Sequence, residues 1–202
     1  GVEKYWIFTN FAGMSAYLIP SIIANIKYSI VEYDFKYCTF RSIEKHKAAT
    51  NKECDCHNQP LGKMISAFFY GSNSIFWMSE KQKNVYEKVF PFLSRKKSII
   101  LTSMFSKDFF EFVSENSENE KSDSYIIVGS DSWIKGVDDS MNYCEKNNLD
   151  YEVISGISHR DLLLKMSKSK GLVFLPKGGD TCPRTVIEAK LLGCELIIND
   201  NV

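Results

Sequence analysis

Short apolar runs alternate with segments of helical periodicity along the second half of the sequence, and this alternation constrains the fold more than any other feature. The apolar runs, which predict buried strands, lie at residues 124–130, 150–156, 171–176 and 194–200. The segments between them, which predict helices, lie at residues 135–149, 158–170 and 183–193. Since each strand is apolar throughout, the pattern indicates a parallel sheet that is covered by helices on both faces.

The predicted helix ends carry their own signals. Ser158 is a good N-cap for the helix that follows it, Pro183 fits a first helical position, and Gly193 fits a C-terminal stop. These signals support the division of the second half into single strands and single helices.

The first half repeats the rhythm less regularly. Strands are predicted at residues 4–11, 28–35, 73–79 and 97–103, with helices at residues 15–27, 80–93 and 107–113. Ser79 and Ser106 are plausible caps for the last two helices. Residues 35–62 are too long and polar for an ordinary connection, which predicts a functional or metal-clipped loop.

A polar stretch divides the chain. Residues 114–124 contain no apolar side chain and are typical of a solvated linker. We therefore predict an α/β protein with two Rossmann-like lobes, at residues 1–114 and 124–202, joined by a linker at 115–123. Because a parallel edge strand usually needs a helix behind it and none follows Val202, we expect an incomplete fragment with a truncated second lobe.

Composition limits the kinds of partner. The chain has 202 residues and a formal net charge of zero, and ordinary proportions of apolar and charged residues exclude disorder. Zero net charge argues against nucleic acid as the main partner. The first 113 residues hold 15 basic and 10 acidic side chains and the remainder the reverse, which suggests two units with different surfaces. Six unevenly spaced cysteines and no apolar segment of bilayer length predict a cytoplasmic protein.

The most informative stretch connects the third strand of the second lobe to the helix after it. The predicted strand ends at Pro176, and a glycine-containing loop leads to the helix start. Backbone N–H groups of Arg184 and Thr185 at that start would form an anion site, and open parallel sheets bind ligands at this edge. Two acids, Asp180 and Glu188, flank the predicted site.

This stretch resembles the donor site of the retaining group 1 glycosyltransferases, which have the two-lobed GT-B fold. Their signature is an acid, seven other residues and a Glu, followed by Ala and a helix that closes in Gly. Asp180, Glu188, Ala189 and Gly193 match that pattern. The match is good over about 124–202 and weaker over 1–113.

The resemblance implies roles for particular residues. Asp180 would contact the transferred sugar and Glu188 the ribose of the nucleotide, and we take both as the candidate catalytic pair. Lys135 matches the family's Lys before a Gly and would bind the diphosphate with the helix N-terminus, to which Arg184 and Thr185 belong. The nucleotide-binding set is Gly129, Gly156, Ile157, Ser158 and Glu188.

Two departures from the family pattern stand out. The first acid is Asp where the family usually has Glu. The family's Arg near the first glycine is absent, because Ser130, Asp131 and Ser132 follow Gly129. We expect Arg184 to supply the missing positive charge from the other side of the phosphate.

The resemblance implies a hexosyltransferase-type enzyme that moves a sugar from a nucleotide-diphosphate sugar with retention. No cofactor and no metal are expected for the reaction. The acceptor would be a glycan, a lipid or a small molecule, and peripheral contact with a membrane stays open. A sugar-nucleotide epimerase on the same fold and a non-catalytic nucleotide- or sugar-binding module are the alternatives.

A second cluster of chemically active residues lies in the long polar loop. It comprises Cys38, His46, Cys54, Cys56 and His57. Three interpretations stay open: free or structural thiols, a disulfide, and a zinc site formed by Cys38, Cys54, Cys56 and His57. The spacing matches no standard zinc finger, so thiols are favoured over metal. Glu32 and Asp34, at a predicted strand end, would pair with Lys36 and Arg41 or line the cleft between the lobes.

Overall fold

The computed structural model describes residues 4–202, which divide between Ser103 and Met104 into two compact units. Each unit is a four-stranded, wholly parallel sheet with helices packed against it. The predicted class, two Rossmann-like lobes of the α/β type, is confirmed. No helix of residues 4–202 has the length and apolar character needed to cross a bilayer.

The first unit contains the strands β1 Tyr5–Phe8, β2 Lys27–Glu32, β3 Ser74–Trp77 and β4 Ser98–Ile100. Its helices are α1 Ile19–Asn25, α2 Ile43–Thr50, α3 Pro60–Gly71 and α4 Glu80–Val89. The strands pair in chain order, so each crossover advances the sheet in the same direction. Ser79 accepts a hydrogen bond from the backbone N–H of Gln82, which confirms it as the cap of α4.

The second unit contains the strands β5 Tyr125–Val128, β6 Tyr151–Ile154, β7 Gly171–Phe174 and β8 Glu195–Ile198. Its helices are α5 Lys107–Asn116, α6 Val137–Lys146, α7 His159–Lys168 and α8 Arg184–Leu191. The strand order is β6-β5-β7-β8, so the direction of winding reverses between β5 and β7. Ser106 and Ser158 cap α5 and α7 as predicted.

Aromatic side chains fill the core of the first unit. Phe69 stacks on Trp77 with ring centroids 5.8 Å apart, and Tyr86 lies 4.9 Å from the same indole. Tyr28 stacks on Phe68 at 4.9 Å and donates its hydroxyl hydrogen to the Phe68 carbonyl. Each buried ring stabilises the fold by about 1.5–3 kcal/mol, and the helices α3 and α4 are held on the sheet by these contacts.

The predicted long loop is more ordered than the sequence indicates. Residues 35–62 contain α2, a short 3₁₀ turn at Cys56–Asn58 and the first turn of α3. Ser42 caps α2, and Asn51 ends it in the left-handed conformation. Residues 35–62 are therefore a connection with secondary structure of its own, and whether it is functional or holds a metal stays a prediction. The sequence does not predict helix α2, because its hydrophobic side is small and its residues include Lys, Glu and Thr without a clear apolar period.

The boundary between the units differs from the predicted linker at 115–123. Phe109 and Phe112 of α5 are buried in the core of the second unit, which brings that helix into the unit. The polar stretch is also bonded to it, since the Lys121 ammonium donates to the carbonyls of Ser167 and Leu192. The polar stretch at 114–124 is thus a surface segment of the second unit. The two compact units divide about ten residues earlier, between Ser103 and Met104.

The acids after β2 pair with the two cations proposed for them. Glu32 is fully buried and accepts a hydrogen bond from the Lys36 ammonium at 3.0 Å, and Asp34 is bonded to Arg41. Burial raises the pKa of Glu32 to about 8, although the Lys36 charge acts to lower it. The second carboxyl oxygen of Glu32 is buried without a hydrogen-bond partner.

Replacement of this carboxyl by an amide should change how stability depends on pH. Between about pH 4.5 and 8 the folded protein holds a proton on Glu32 that the unfolded chain has released, so wild-type stability falls as the pH rises. Relative to wild type, the Glu32→Gln variant should gain roughly 1 kcal/mol per pH unit across this window.

Urea unfolding at several pH values measures this difference directly. Glu80→Gln is the matched control, because its side chain is 64% exposed on α4 of the same unit. A pH-independent difference between wild type and Glu32→Gln would show that Glu32 is ionised in the fold.

Candidate functional site

A pocket of about 340 Å³ opens at the carboxyl ends of β5 and β7, where the strand order of the second unit reverses. Crossovers leave this point on opposite faces of the sheet, which creates a crevice that open α/β sheets use for ligands. The residues lining it are Val128, Gly129, Ser130, Lys135, Leu172, Phe174, Asp180, Cys182, Pro183, Arg184 and Thr185. Four residues that sequence analysis assigned to diphosphate or sugar, and one assigned to the nucleotide, therefore share one cavity.

Lys135 enters the pocket from the segment after β5. It ends a 3₁₀ turn at Trp133–Lys135, and its ammonium lies 2.6 Å from a carboxylate oxygen of Asp180. The same ammonium lies 5.6 Å from the centre of the Phe174 ring. These contacts hold the cation over the end of β7, at the wall of the cavity.

Gly136 allows the Lys135 segment to approach β7. Its φ is +61°, and a Cβ at this position would lie 1.9 Å from the carbonyl oxygen of Leu175. Ser140 stabilises this close approach, because its hydroxyl donates to the Gly136 carbonyl and accepts from the Leu175 N–H. Only glycine fits here, so the close approach of the Gly136 and Leu175 backbones is a sufficient structural reason for the glycine of the Lys-Gly pair.

The loop that carries Asp180 is fixed to the segment after β8. The Asp180 N–H donates to the carbonyl of Asn201 at 2.9 Å. The side-chain amides of Asn199 and Asn201 both donate to the carbonyl of Pro176. The position of the acid therefore depends on residues at the end of the chain.

Helix α8 points its N-terminus at the pocket. The sequence placed Pro183 at the first helical position, but Pro183 is the N-cap residue and the helix begins at Arg184; no side chain caps this helix start. Arg184 and Thr185 supply the first helical N–H groups and both line the cavity. This arrangement places positive potential from the helix and from the Arg184 guanidinium at one end of the pocket.

Glu188 lies one turn further along α8 and is only 2% exposed. One of its oxygens accepts hydrogen bonds from Arg184 Nε at 2.9 Å and from His159 Nε2 at 3.0 Å. Glu188 is thus behind the lining, and it reaches the pocket through Arg184. Sequence analysis missed His159, whose position directly after the N-cap Ser158 was the available signal.

The predicted nucleotide-binding residues after β6 do not line this pocket. Ser158 caps α7, Ile157 is 42% exposed, and Gly156 adopts a φ of +70° with open space around it. They neighbour His159, whose ring contacts Glu188. The segment lies on the Glu188 side of the site and is joined to it by that contact.

No protein-family model and no curated protein match this sequence. Among solved structures, the chain is similar to the UDP-forming α,α-trehalose-phosphate synthase from Burkholderia vietnamiensis, with a TM-score of 0.62 and 7% sequence identity. A UDP-forming enzyme of the same description from Burkholderia xenovorans gives a TM-score of 0.58, also at 7% identity. Both matches cover 98% of this chain and 59% of the other chain. At this identity the likeness establishes the fold, which is the Rossmann-like GT-B type.

Substitution of Gly136 tests the close approach that positions Lys135. Gly136→Ala places a methyl group against the Leu175 carbonyl and forces a left-handed conformation on a non-glycine residue, so it should destabilise the second unit by more than about 2 kcal/mol. Gly156→Ala is the control with a similar φ and no close neighbour, and it should cost only about 1–2 kcal/mol.

Urea unfolding of both variants gives the comparison. Equal losses of stability would mean that the backbone conformation alone, and not the contact with Leu175, explains the glycine.

Proposed function

We propose that the protein is a glycosyltransferase that binds a nucleotide-diphosphate sugar in the pocket at the carboxyl ends of β5 and β7. The observation that carries the proposal is the convergence of Lys135, Arg184 and the N-terminus of α8 on one cavity. Two fixed cations and a helix dipole suit a ligand with two adjacent negative charges, and a diphosphate has that character.

Charge development explains why these groups would speed sugar transfer. Breaking the bond between the anomeric carbon and the diphosphate leaves negative charge on the departing oxygen. Lys135 and Arg184 would stabilise that charge from positions that are already set in the fold. On this proposal no divalent cation is needed at the diphosphate.

On this proposal the sugar of the nucleotide-diphosphate sugar would lie beside the Lys135–Asp180 pair. The two side chains touch at 2.6 Å, so a donor whose phosphate binds Lys135 would bring its sugar beside Asp180. The carboxylate would then accept hydrogen bonds from sugar hydroxyls in place of the ammonium. Asp180 is shorter than the Glu usual in the resembling family, and a loop held by Asn201 sets how far it reaches.

The nucleoside would extend toward Glu188 and the segment Gly156–Ser158. Glu188 would bind ribose hydroxyls, with His159 and Arg184 holding its carboxylate in place. Both similar solved structures are described as UDP-forming, which makes UDP and UDP-hexoses the first ligands to test. We propose that transfer retains the configuration at the anomeric carbon, and this part of the proposal rests on the resemblance to the retaining group 1 glycosyltransferases.

The first unit would receive the acceptor, which we propose to be a glycan, a lipid or a small molecule. The chain spans about three fifths of the length of the solved structures that it matches. Transfer of a sugar to an acceptor is therefore a proposal, and so are its substrates. We propose a cytoplasmic location, where cysteines stay reduced; none of the six cysteines, all of which lie in the described residues, forms a disulfide.

Loss of either cation should weaken nucleotide binding. Lys135→Ala and Arg184→Ala should each reduce the affinity for UDP by about 10- to 100-fold, since a charge-assisted hydrogen bond to phosphate is worth roughly 1.5–3 kcal/mol. Isothermal titration calorimetry in buffer without added divalent cations measures this loss.

Lys165→Ala is the matched control, because that lysine lies on α7 of the same unit and pairs with Glu152 at the surface. It should leave UDP affinity unchanged. Unaltered affinity in both pocket variants would exclude this cavity as the diphosphate site.

Turnover separates the enzyme from its alternatives. With a UDP-hexose and an acceptor, the protein should release UDP and form a glycoside whose anomeric configuration, read by NMR, matches that of the donor. Isomerised donor without acceptor would indicate an epimerase. Tight binding without turnover would indicate a binding module.

A further inference from the structure

Four potential metal ligands converge in the first unit, outside the proposed donor site. Their donor atoms are the Sγ atoms of Cys38, Cys54 and Cys56 and a ring nitrogen of His46, and all lie within 4.8 Å of one another. They come from three separate parts of the segment between β2 and α3: the turn after β2, the helix α2, and the approach to the 3₁₀ turn at Cys56–Asn58.

The separations fit a tetrahedral zinc ion. Zinc binds thiolate sulfur at about 2.3 Å and imidazole nitrogen at about 2.0–2.1 Å, which places sulfur and nitrogen about 3.6 Å apart at two corners of a tetrahedron. Nδ1 of His46 lies 3.4 Å from Cys56 Sγ and 3.8 Å from Cys38 Sγ. These two separations match the expected value, and all four donor atoms lie close enough together to surround one ion after small side-chain adjustments.

We propose that Cys38, His46, Cys54 and Cys56 bind one structural Zn²⁺ ion. Three thiols and one imidazole complete a Cys₃His set, a common ligand set for structural zinc. Binding would displace one proton from each of the three thiols, and the neutral imidazole would donate the lone pair of Nδ1. The sulfurs would then be held as thiolates by the metal.

Burial favours a structural role. Cys38, Cys56 and His46 are at most 9% exposed, and Cys54 is half-buried. With four protein ligands around the ion, no position remains for water or substrate, and closed four-ligand sites are those that stabilise folds.

The geometry revises the sequence-based ligand set. Sequence analysis grouped His57 with the three cysteines, but the structure brings His46 to them in its place. Helix α2, which the sequence did not reveal, explains the difference, because it turns His46 inward toward Cys38 and Cys56. A disulfide would join only two of the cysteines and leave a buried thiol and a buried imidazole unexplained.

The site also has a structural purpose. The segment between β2 and α3 contributes Lys36, Cys38, Thr39 and Arg41 to a pocket of about 160 Å³ in the first unit. Gly62 at the start of α3 lies against the Cys56 backbone, where a Cβ would be 2.2 Å from the Cys56 carbonyl oxygen. Zinc would thus hold the wall of that pocket to both the sheet and α3.

Metal content of the purified chain tests the proposal. Protein expressed in zinc-supplemented medium should contain one zinc per chain by mass spectrometry of the metal. Cys54→Ser and His46→Gln should lose most of it, whereas His57→Gln and Cys182→Ser should keep it. Retention of zinc in His46→Gln with loss in His57→Gln would overturn the assignment of the imidazole ligand.

A second measurement does not depend on variants that fold. Wild-type protein stripped of metal under reducing conditions and reloaded with Co²⁺ should show the thiolate charge-transfer and d–d absorption of tetrahedral cobalt. Zinc addition should abolish that spectrum and raise the unfolding midpoint by roughly 10 °C. Absence of stoichiometric metal and of this spectrum, or a mass two hydrogens lower from a native disulfide, would overturn the proposal.

Discussion

The reversal of strand order between β5 and β7 is the constraint on which the candidate site depends. Parallel strands bring their carboxyl ends to one edge, and the reversal separates the crossovers that leave β5 and β7. Lys135 follows one strand and Asp180 the other, so they are 45 residues apart in the chain and 2.6 Å apart in space. A different strand order would leave each of these residues on an ordinary surface loop.

Electrostatic balance within the site comes from this topology for one ion pair and from the four-residue spacing along α8 for the other. Each cation of the pocket already has an acidic partner, Asp180 for Lys135 and Glu188 for Arg184. Pairing limits the cost of placing two positive charges beside a helix N-terminus before a ligand arrives. The acids therefore belong to the folding of the site as well as to its proposed chemistry.

Much of the second unit could be predicted from its sequence, because its two central strands, β5 and β7, are apolar runs and its helices start at residues such as Ser158. Less of the first unit could be predicted. Helix α2 has little hydrophobic asymmetry, and its inward His46 is a single contact that periodicity cannot reveal. The unit boundary was misplaced for a related reason: the polar segment after α5 is tied down by Lys121, and a sequence does not show such bonds.

The candidate site shows in the same way which contacts a sequence can and cannot predict. Sequence spacing placed Glu188 four positions after Arg184, and the structure shows the contact that this spacing allows. Sequence spacing could not show that His159, which lies on α7, contacts the same Glu188 oxygen as Arg184.

The segment between β2 and α3 has a consequence for how this fold can vary. If four ligands fix its path, the exposed side chains between them that neither cap α2 nor pair with Asp34, such as Lys45 and Lys52, have little part in maintaining the architecture. Such residues are free to change size, charge and hydrogen-bonding capacity while the scaffold beneath them persists. A segment whose path is fixed by a metal can in this way vary its exposed surface, and with it the ligands that this surface could bind, while the fold stays the same.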